Sequence, residues 1–107
     1  MPNNIFLEMK KPNECLNIDE IRNEIDLLDH EIIELLGTRF EFVKEITKFK
    51  SNKEDVEAKK RYDEVIRIRR QWAADKGLSQ DVIEKIYKTL IQYFIEEQMK
   101  ILSLHRK

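Results

Sequence analysis

At 107 residues the chain is long enough for one domain. Charged residues make up 38% of it, but the net charge is only −1. This balance argues against the concentrated basic surface that binding to nucleic acids or anionic membranes requires. No apolar run approaches the ~20 residues of a membrane span, and residues 1–11 lack the apolar stretch of a secretory signal. One cysteine permits neither a disulfide framework nor a metal quartet, so we expect a reduced, cytoplasmic protein.

The N-terminal third of the chain is predicted to be an arm followed by a long helix. Only two glycines and two prolines are present, which favours an all-α protein. Residues 1–16 are predicted to be an irregular arm, because Pro12 discourages helix there. Asn17 is typical of a helix N-cap, with Glu20 in the capping-box position. Apolar periodicity then predicts a first helix over about 18–50, roughly 50 Å long.

The first predicted helix carries one continuous apolar stripe, and a charged residue interrupts it. The apolar members recur at alternating spacings of four and three, and Arg39 takes the position between Leu35 and Phe42. A helix of roughly 50 Å greatly exceeds a globule whose radius of gyration is about 13 Å. We therefore expect a second copy of the chain to cover the stripe in an intertwined homodimer. Its apolar members are Ile21, Ile25, Leu28, Ile32, Leu35, Phe42, Ile46 and Phe49.

Two further helices are predicted in the remainder of the chain. Residues 51–55 form a polar break, and a second helix is predicted over about 55–76, where Gly77 suits the position after a helix end. Ser79 is a good N-cap for a third helix over about 80–103. The whole chain is thus predicted to be a single domain of three helices.

Five polar side chains are candidates for a ligand site. Gln98 interrupts the apolar stripe of the third helix as Arg39 interrupts the first, and buried polar groups are costly unless something satisfies them. Lys50 lies 11 residues after Arg39, which predicts one shared helix face with ~16 Å of axial rise. Arg22 lies ~42 Å before Lys50 along the same helix, so it reaches the same small ligand only from the other chain of an antiparallel pair. Arg61 is a further cation near the polar break.

The chemistry available to these side chains is limited. The sequence has no glycine-rich phosphate loop, no nucleophile motif and no carboxylate dyad. Cations and an amide can bind a dicarboxylate, and they can catalyse a reaction that needs only a held conformation and stabilised charge. Pericyclic rearrangements are the leading reactions of that kind. The alternative for each cation is a solvated or ion-paired surface residue.

Motifs in the three predicted helices carry a family resemblance over about residues 11–102. The motifs are Ile21-Arg22-x-x-Ile25-Asp26-x-x-Asp29, Leu36-Gly37-Thr38-Arg39-Phe40 and Val43-Lys44-x-x-x-x-Phe49-Lys50. They resemble the all-helical chorismate mutase family. Two other segments are similar to its isochorismate-pyruvate lyase branch, which makes salicylate for siderophores: Arg70-Gln71-Trp72-Ala73 and Tyr93-Phe94-Ile95-Glu96-Glu97-Gln98-Met99-Lys100.

The resemblance implies a chorismate mutase type II fold, an intertwined homodimer with two sites, and no metal or organic cofactor. It implies that Arg22 binds a substrate carboxylate from the partner subunit and that Arg39 binds the pyruvyl carboxylate. Lys50 would lie against the ether oxygen, where negative charge grows as the C–O bond breaks, with Gln98 donating a second hydrogen bond there. Arg61 would help to close the site from the second helix.

Three residues bear on the choice of branch. Mutases of this family often have acidic residues where this chain has Ala58 and Tyr62, and a small hydroxyl residue in place of Phe94. The resemblance therefore favours an isochorismate-pyruvate lyase with secondary chorismate mutase activity. The alternatives are a stand-alone chorismate mutase of aromatic amino-acid synthesis and a non-catalytic helical dimer.

Overall fold

The computed structural model describes residues 9–105, with side chains described as far as Ser103. Within that range the chain is helical and has no strand, which confirms the predicted all-α class. The part of the predicted arm at residues 1–8 lies outside the described residues. In chain order the elements are a 3-10 turn at Pro12–Glu14, α1 at Ile18–Ile46, a 3-10 turn at Thr47–Phe49, α2 at Lys53–Glu57, α3 at Lys59–Asp75 and α4 at Gln80–His105.

None of the helices in the described part of the chain combines the length and the apolar content of a membrane span. The chain divides into two compact units, Met1–Arg39 and Phe40–Lys107.

The start of α1 is fixed by the predicted capping residues. The Glu20 N–H donates to the Asn17 side-chain oxygen over 2.9 Å, and the Leu16 N–H donates to the Glu20 carboxylate over 2.6 Å. One backbone donor of the first helical turn and one just before the N-cap residue are thus satisfied. The Lys10 ammonium also lies 2.6 Å from the Glu20 carboxylate, and this hydrogen bond is the largest cause that lowers the pKa of Glu20.

The end of α1 differs from the prediction. The predicted helix extends to about residue 50, whereas α1 ends at Ile46 and a 3-10 turn follows. The hydroxyl of the buried Thr47 donates to the Lys44 carbonyl over 2.6 Å, and Lys50 has extended backbone with φ −110° and ψ 143°. The tighter turn and the extended backbone change the direction of the Lys50 side chain relative to a continuous α-helix. Lys50 therefore does not share a helix face with Arg39.

The second predicted helix is divided by Ala58. This residue has φ 42° and ψ 62°, a left-handed conformation that ends α2, and α3 starts at the next residue. The Ala58 N–H donates to the Glu54 carbonyl over 2.9 Å, which closes the last turn of α2. For a residue with a Cβ this conformation costs about 1–2 kcal/mol, so packing of the flanking helices must stabilise it.

The second unit has its own core between α3 and α4, and α2 and the second 3-10 turn also pack against α4. Gly77, at φ 72°, ends α3 as predicted, and the Leu78 N–H closes the turn onto the Ala73 carbonyl over 2.8 Å. The Arg70 guanidinium joins the two helices through the carboxylates of Asp81 at 2.9 Å and Glu84 at 3.0 Å. The buried apolar residues are Val56, Val65, Ile66, Ala73, Phe94 and Leu102.

Candidate active site

Lys50 lies directly after the second 3-10 turn and is half-buried. Its ammonium donates a hydrogen bond of 2.6 Å to the backbone carbonyl of Asp55 in α2. An ammonium carries three N–H donors, so this contact leaves two of them for a ligand. The carbonyl thereby restrains a long, flexible side chain without neutralising its charge.

Gln98 lies on α4 and is only 7% exposed. Phe94, one turn earlier on the same helix, is 4% exposed and stacks on Phe40 with the ring centroids 4.9 Å apart. The 3-10 turn before Lys50 and the α2 helix after it both pack against α4. The fold therefore places the segment that carries Lys50 against the helix that carries Gln98.

Arg61 lies in the first turn of α3 and is exposed. Its guanidinium pairs with the Glu64 carboxylate over 2.6 Å. With Ala58, Lys59 and Lys60 these two residues line an open pocket of about 420 Å³. The structure thus gives Arg61 a salt bridge at the surface, and because a guanidinium has five N–H donors, it can bind a ligand without losing Glu64.

The remaining two predicted residues belong to the first unit. Arg39 is half-buried in the middle of the α1 stripe, and Arg22 is exposed near the helix start, 3.9 Å from the Asp19 carboxylate. A salt bridge of that length between exposed side chains is weak, so the Arg22 guanidinium exchanges it readily for another anion.

Sequence reasoning missed a pair of residues beside Lys50. The Asp55 carboxylate accepts hydrogen bonds from the Ser51 hydroxyl at 2.8 Å and from the Ser51 N–H at 3.0 Å. The hydroxyl is the largest cause that lowers the pKa of Asp55, and the charge of Lys50 adds to it. The available signal was the spacing Asn52-x-x-Asp55, which is that of a helix capping box. Across the described residues, no group of His, Cys, Asp and Glu side chains is placed to hold a metal ion.

Comparison with known proteins decides the family. The family described as chorismate mutase type II matches residues 21–99, a span that contains all five candidate residues. The chain belongs to the chorismate mutase type II family. An isochorismate pyruvate lyase from Pseudomonas aeruginosa is 33% identical over 92 residues, which cover 86% of this chain and 91% of that enzyme. The resemblance predicted from the motifs is thereby confirmed, and the chain is an enzyme of this family.

Proposed function

We propose that the protein is an isochorismate-pyruvate lyase with weaker chorismate mutase activity. The observation that carries the proposal is the similarity to the Pseudomonas aeruginosa lyase over nearly the full length of both chains. The placement of Lys50 beside the helix that bears the buried Gln98 supports it. The cytoplasmic location and the supply of salicylate to siderophore synthesis stay predictions.

The proposed reaction needs binding and charge stabilisation rather than a nucleophile. The ether C–O bond of isochorismate breaks, and one ring hydrogen moves to the methylene carbon of the enolpyruvyl group, which yields salicylate and pyruvate. Negative charge grows on the ether oxygen as the bond lengthens. The Lys50 ammonium and the Gln98 amide donate hydrogen bonds to that oxygen, and a fixed donor stabilises the transition state more than the ground state.

The two carboxylates of the substrate require cations as well. We assign Arg39 to the pyruvyl carboxylate and Arg22 of the partner subunit to the other carboxylate, with Arg61 closing the site. The exposed apolar stripe of α1 supports a homodimer, because Ile25, Ile32 and Leu35 are 49%, 52% and 56% exposed in the single chain. A contiguous apolar surface of this kind is typical of a protein–protein interface.

The preference for isochorismate is supported by the residues near the start of α3. Ala58 and Tyr62 offer no carboxylate there, so they lack the acceptor that would hold the ring hydroxyl of chorismate. Both residues are half-buried, and the left-handed backbone of Ala58 fixes the direction in which α3 starts.

Product formation from the two substrates tests the proposal. The purified protein is incubated separately with isochorismate and chorismate, and salicylate and prephenate are measured. We expect kcat/KM for isochorismate to exceed that for chorismate by at least about tenfold, or ~1.4 kcal/mol of differential transition-state binding. Equal or reversed efficiencies would favour the stand-alone chorismate mutase. No product from either substrate would favour the non-catalytic helical dimer.

A further inference from the structure

Asp55 forms hydrogen bonds with both Lys50 and the residue that follows it, Ser51. The Lys50 ammonium donates to the Asp55 carbonyl over 2.6 Å, and the next residue, Ser51, donates both its N–H and its hydroxyl to the Asp55 carboxylate. One residue therefore restrains both the tip of the Lys50 side chain and the backbone that follows it. We call Ser51 and Asp55, with their two hydrogen bonds, the 51–55 clasp.

The clasp is distinct from the N-cap of α2. The cap is supplied by Asn52, whose side-chain oxygen accepts the Asp55 N–H over 2.8 Å. The Asp55 carboxylate instead reaches back to Ser51, beyond the cap residue. An ionised carboxylate forms stronger hydrogen bonds than a neutral acceptor, and the Ser51 hydroxyl stabilises the ionised form of Asp55, which lowers the pKa of that carboxyl.

We propose that Asp55 is a positioning residue for the reaction, because its clasp on Ser51 holds the loop that aims the Lys50 ammonium at the substrate. The inference rests on the proposed function, since it requires Lys50 to act on the breaking bond. Without the clasp, residues 50–52 sample other conformations, and the ammonium spends less time at the position where charge develops. A displacement of about 1 Å at a reacting group is enough to reduce turnover strongly.

Steady-state kinetics of salicylate formation, with a matched control, test the inference. Asp55→Ala removes the clasp, while Glu54→Ala removes the same charge from an exposed neighbour in the same helix. We expect Asp55→Ala to lower kcat about tenfold with little change in KM, because binding through the arginines persists while the donor is displaced. Glu54→Ala should leave both constants at the wild-type values.

The serine supplies a second, milder test that does not depend on Asp55→Ala folding. Ser51→Ala removes the hydroxyl donor, and Ser51→Thr retains it. We expect kcat to fall in Ser51→Ala and to stay near wild type in Ser51→Thr. Amide hydrogen exchange of the Ser51 N–H should also be faster in Asp55→Ala than in Glu54→Ala, because that N–H loses its acceptor.

The outcomes separate this inference from the function on which it rests. A wild-type protein that forms no salicylate would overturn the proposed function. An active wild type in which Asp55→Ala matches Glu54→Ala, or changes only KM, would overturn the positioning role alone. Equal kcat values for Ser51→Ala and Ser51→Thr would also count against it.

Discussion

The two units of the chain differ in whether they possess a core. No described residue between Met9 and Arg39 is buried, although this part of α1 carries apolar side chains at helical spacing. Between Phe40 and Ser103, by contrast, α2, α3 and α4 all contribute buried side chains, and α2 and α3 both pack against α4. The second unit thus has an interior of its own within one chain, whereas the described apolar side chains of the first unit stay at least partly exposed in it.

The proposed site residues follow the same division. Lys50 and Gln98, which we assign to the breaking bond, belong to the unit with the core, where packing restrains their positions. Arg22 and Arg39, which we assign to the carboxylates, belong to the unit without one. In this assignment the groups that need the most accurate placement lie in the better-packed unit, so we expect substitutions in the two units to have different consequences.

The largest effect is expected in the second unit, at Lys50. Lys50→Ala should lower kcat by about 10²-fold or more, the range typical of a lost electrostatic donor in the transition state. Lys53→Ala, at an exposed position three residues on, serves as the control and should keep wild-type kinetics. A change confined to KM would mean that Lys50 binds substrate and transition state equally, and the assignment of chemistry to this unit would be wrong.

The second prediction combines the two units across subunits. Arg22→Ala and Lys50→Ala chains should each be nearly inactive as homodimers. Random exchange of subunits should restore about a quarter of the wild-type activity, because half of the dimers are hybrids and each hybrid has one intact site. Activity is measured after mixing under conditions in which subunit exchange is verified.

As a control, a chain that carries both Arg22→Ala and Lys50→Ala is mixed with the Arg22→Ala chain. The hybrid dimers in this mixture contain no intact site, so no activity should return. Failure of the first mixture to recover activity despite exchange, or a monomeric mass in sedimentation, would contradict the shared site. The apolar surface of α1 would then require another explanation.

A third prediction concerns the donor on α4. Gln98→Glu should be active only while the introduced carboxyl is protonated, because the carboxylate is an acceptor and cannot donate to the ether oxygen. Activity should fall about tenfold per pH unit above the pKa of that carboxyl, while the wild type shows no such loss. Gln92→Glu, exposed on the same helix, is the control. Parallel pH profiles for the two variants would exclude a donor role for Gln98.

The parts of the fold that sequence predicted well are those with local signals. The capping residues Asn17 and Glu20 mark the start of α1, and Gly77 marks the end of α3, because each satisfies backbone groups at its own position. The break at Ala58 has no such signal, since alanine is the best helix former by propensity. The end of α1 was also missed, because three residues of 3-10 helix barely alter the apolar period.

The same distinction applies to the candidate site. The positions of Arg39 and Gln98 within apolar stripes made them candidates from sequence, and Gln98 is buried as its position predicts. The contact of Lys50 with the Asp55 carbonyl depends on the path of residues 50–55, which packing against α4 determines. The burial of Gln98 was therefore predictable, whereas the extended backbone of Lys50 and the restraint on its ammonium were not.

The smallest effect is expected within the second unit, where Glu84 helps to join α3 to α4. Hydrogen bonds from Lys88 first, and then from Arg70, lower the pKa of its carboxyl below the ordinary value of 4.5. A lowered folded pKa means that this stabilisation is fully present above pH 4.5 and is lost as the pH falls through the folded value. Glu84→Gln should therefore lower Tm slightly at neutral pH, and the difference should shrink in acid. Glu96→Gln, exposed on α4 and hydrogen-bonded to the neutral Gln92, controls for the charge change. A Tm difference for Glu84→Gln that persists unchanged at a pH low enough to protonate the Glu84 carboxyl would assign the effect to packing rather than to charge.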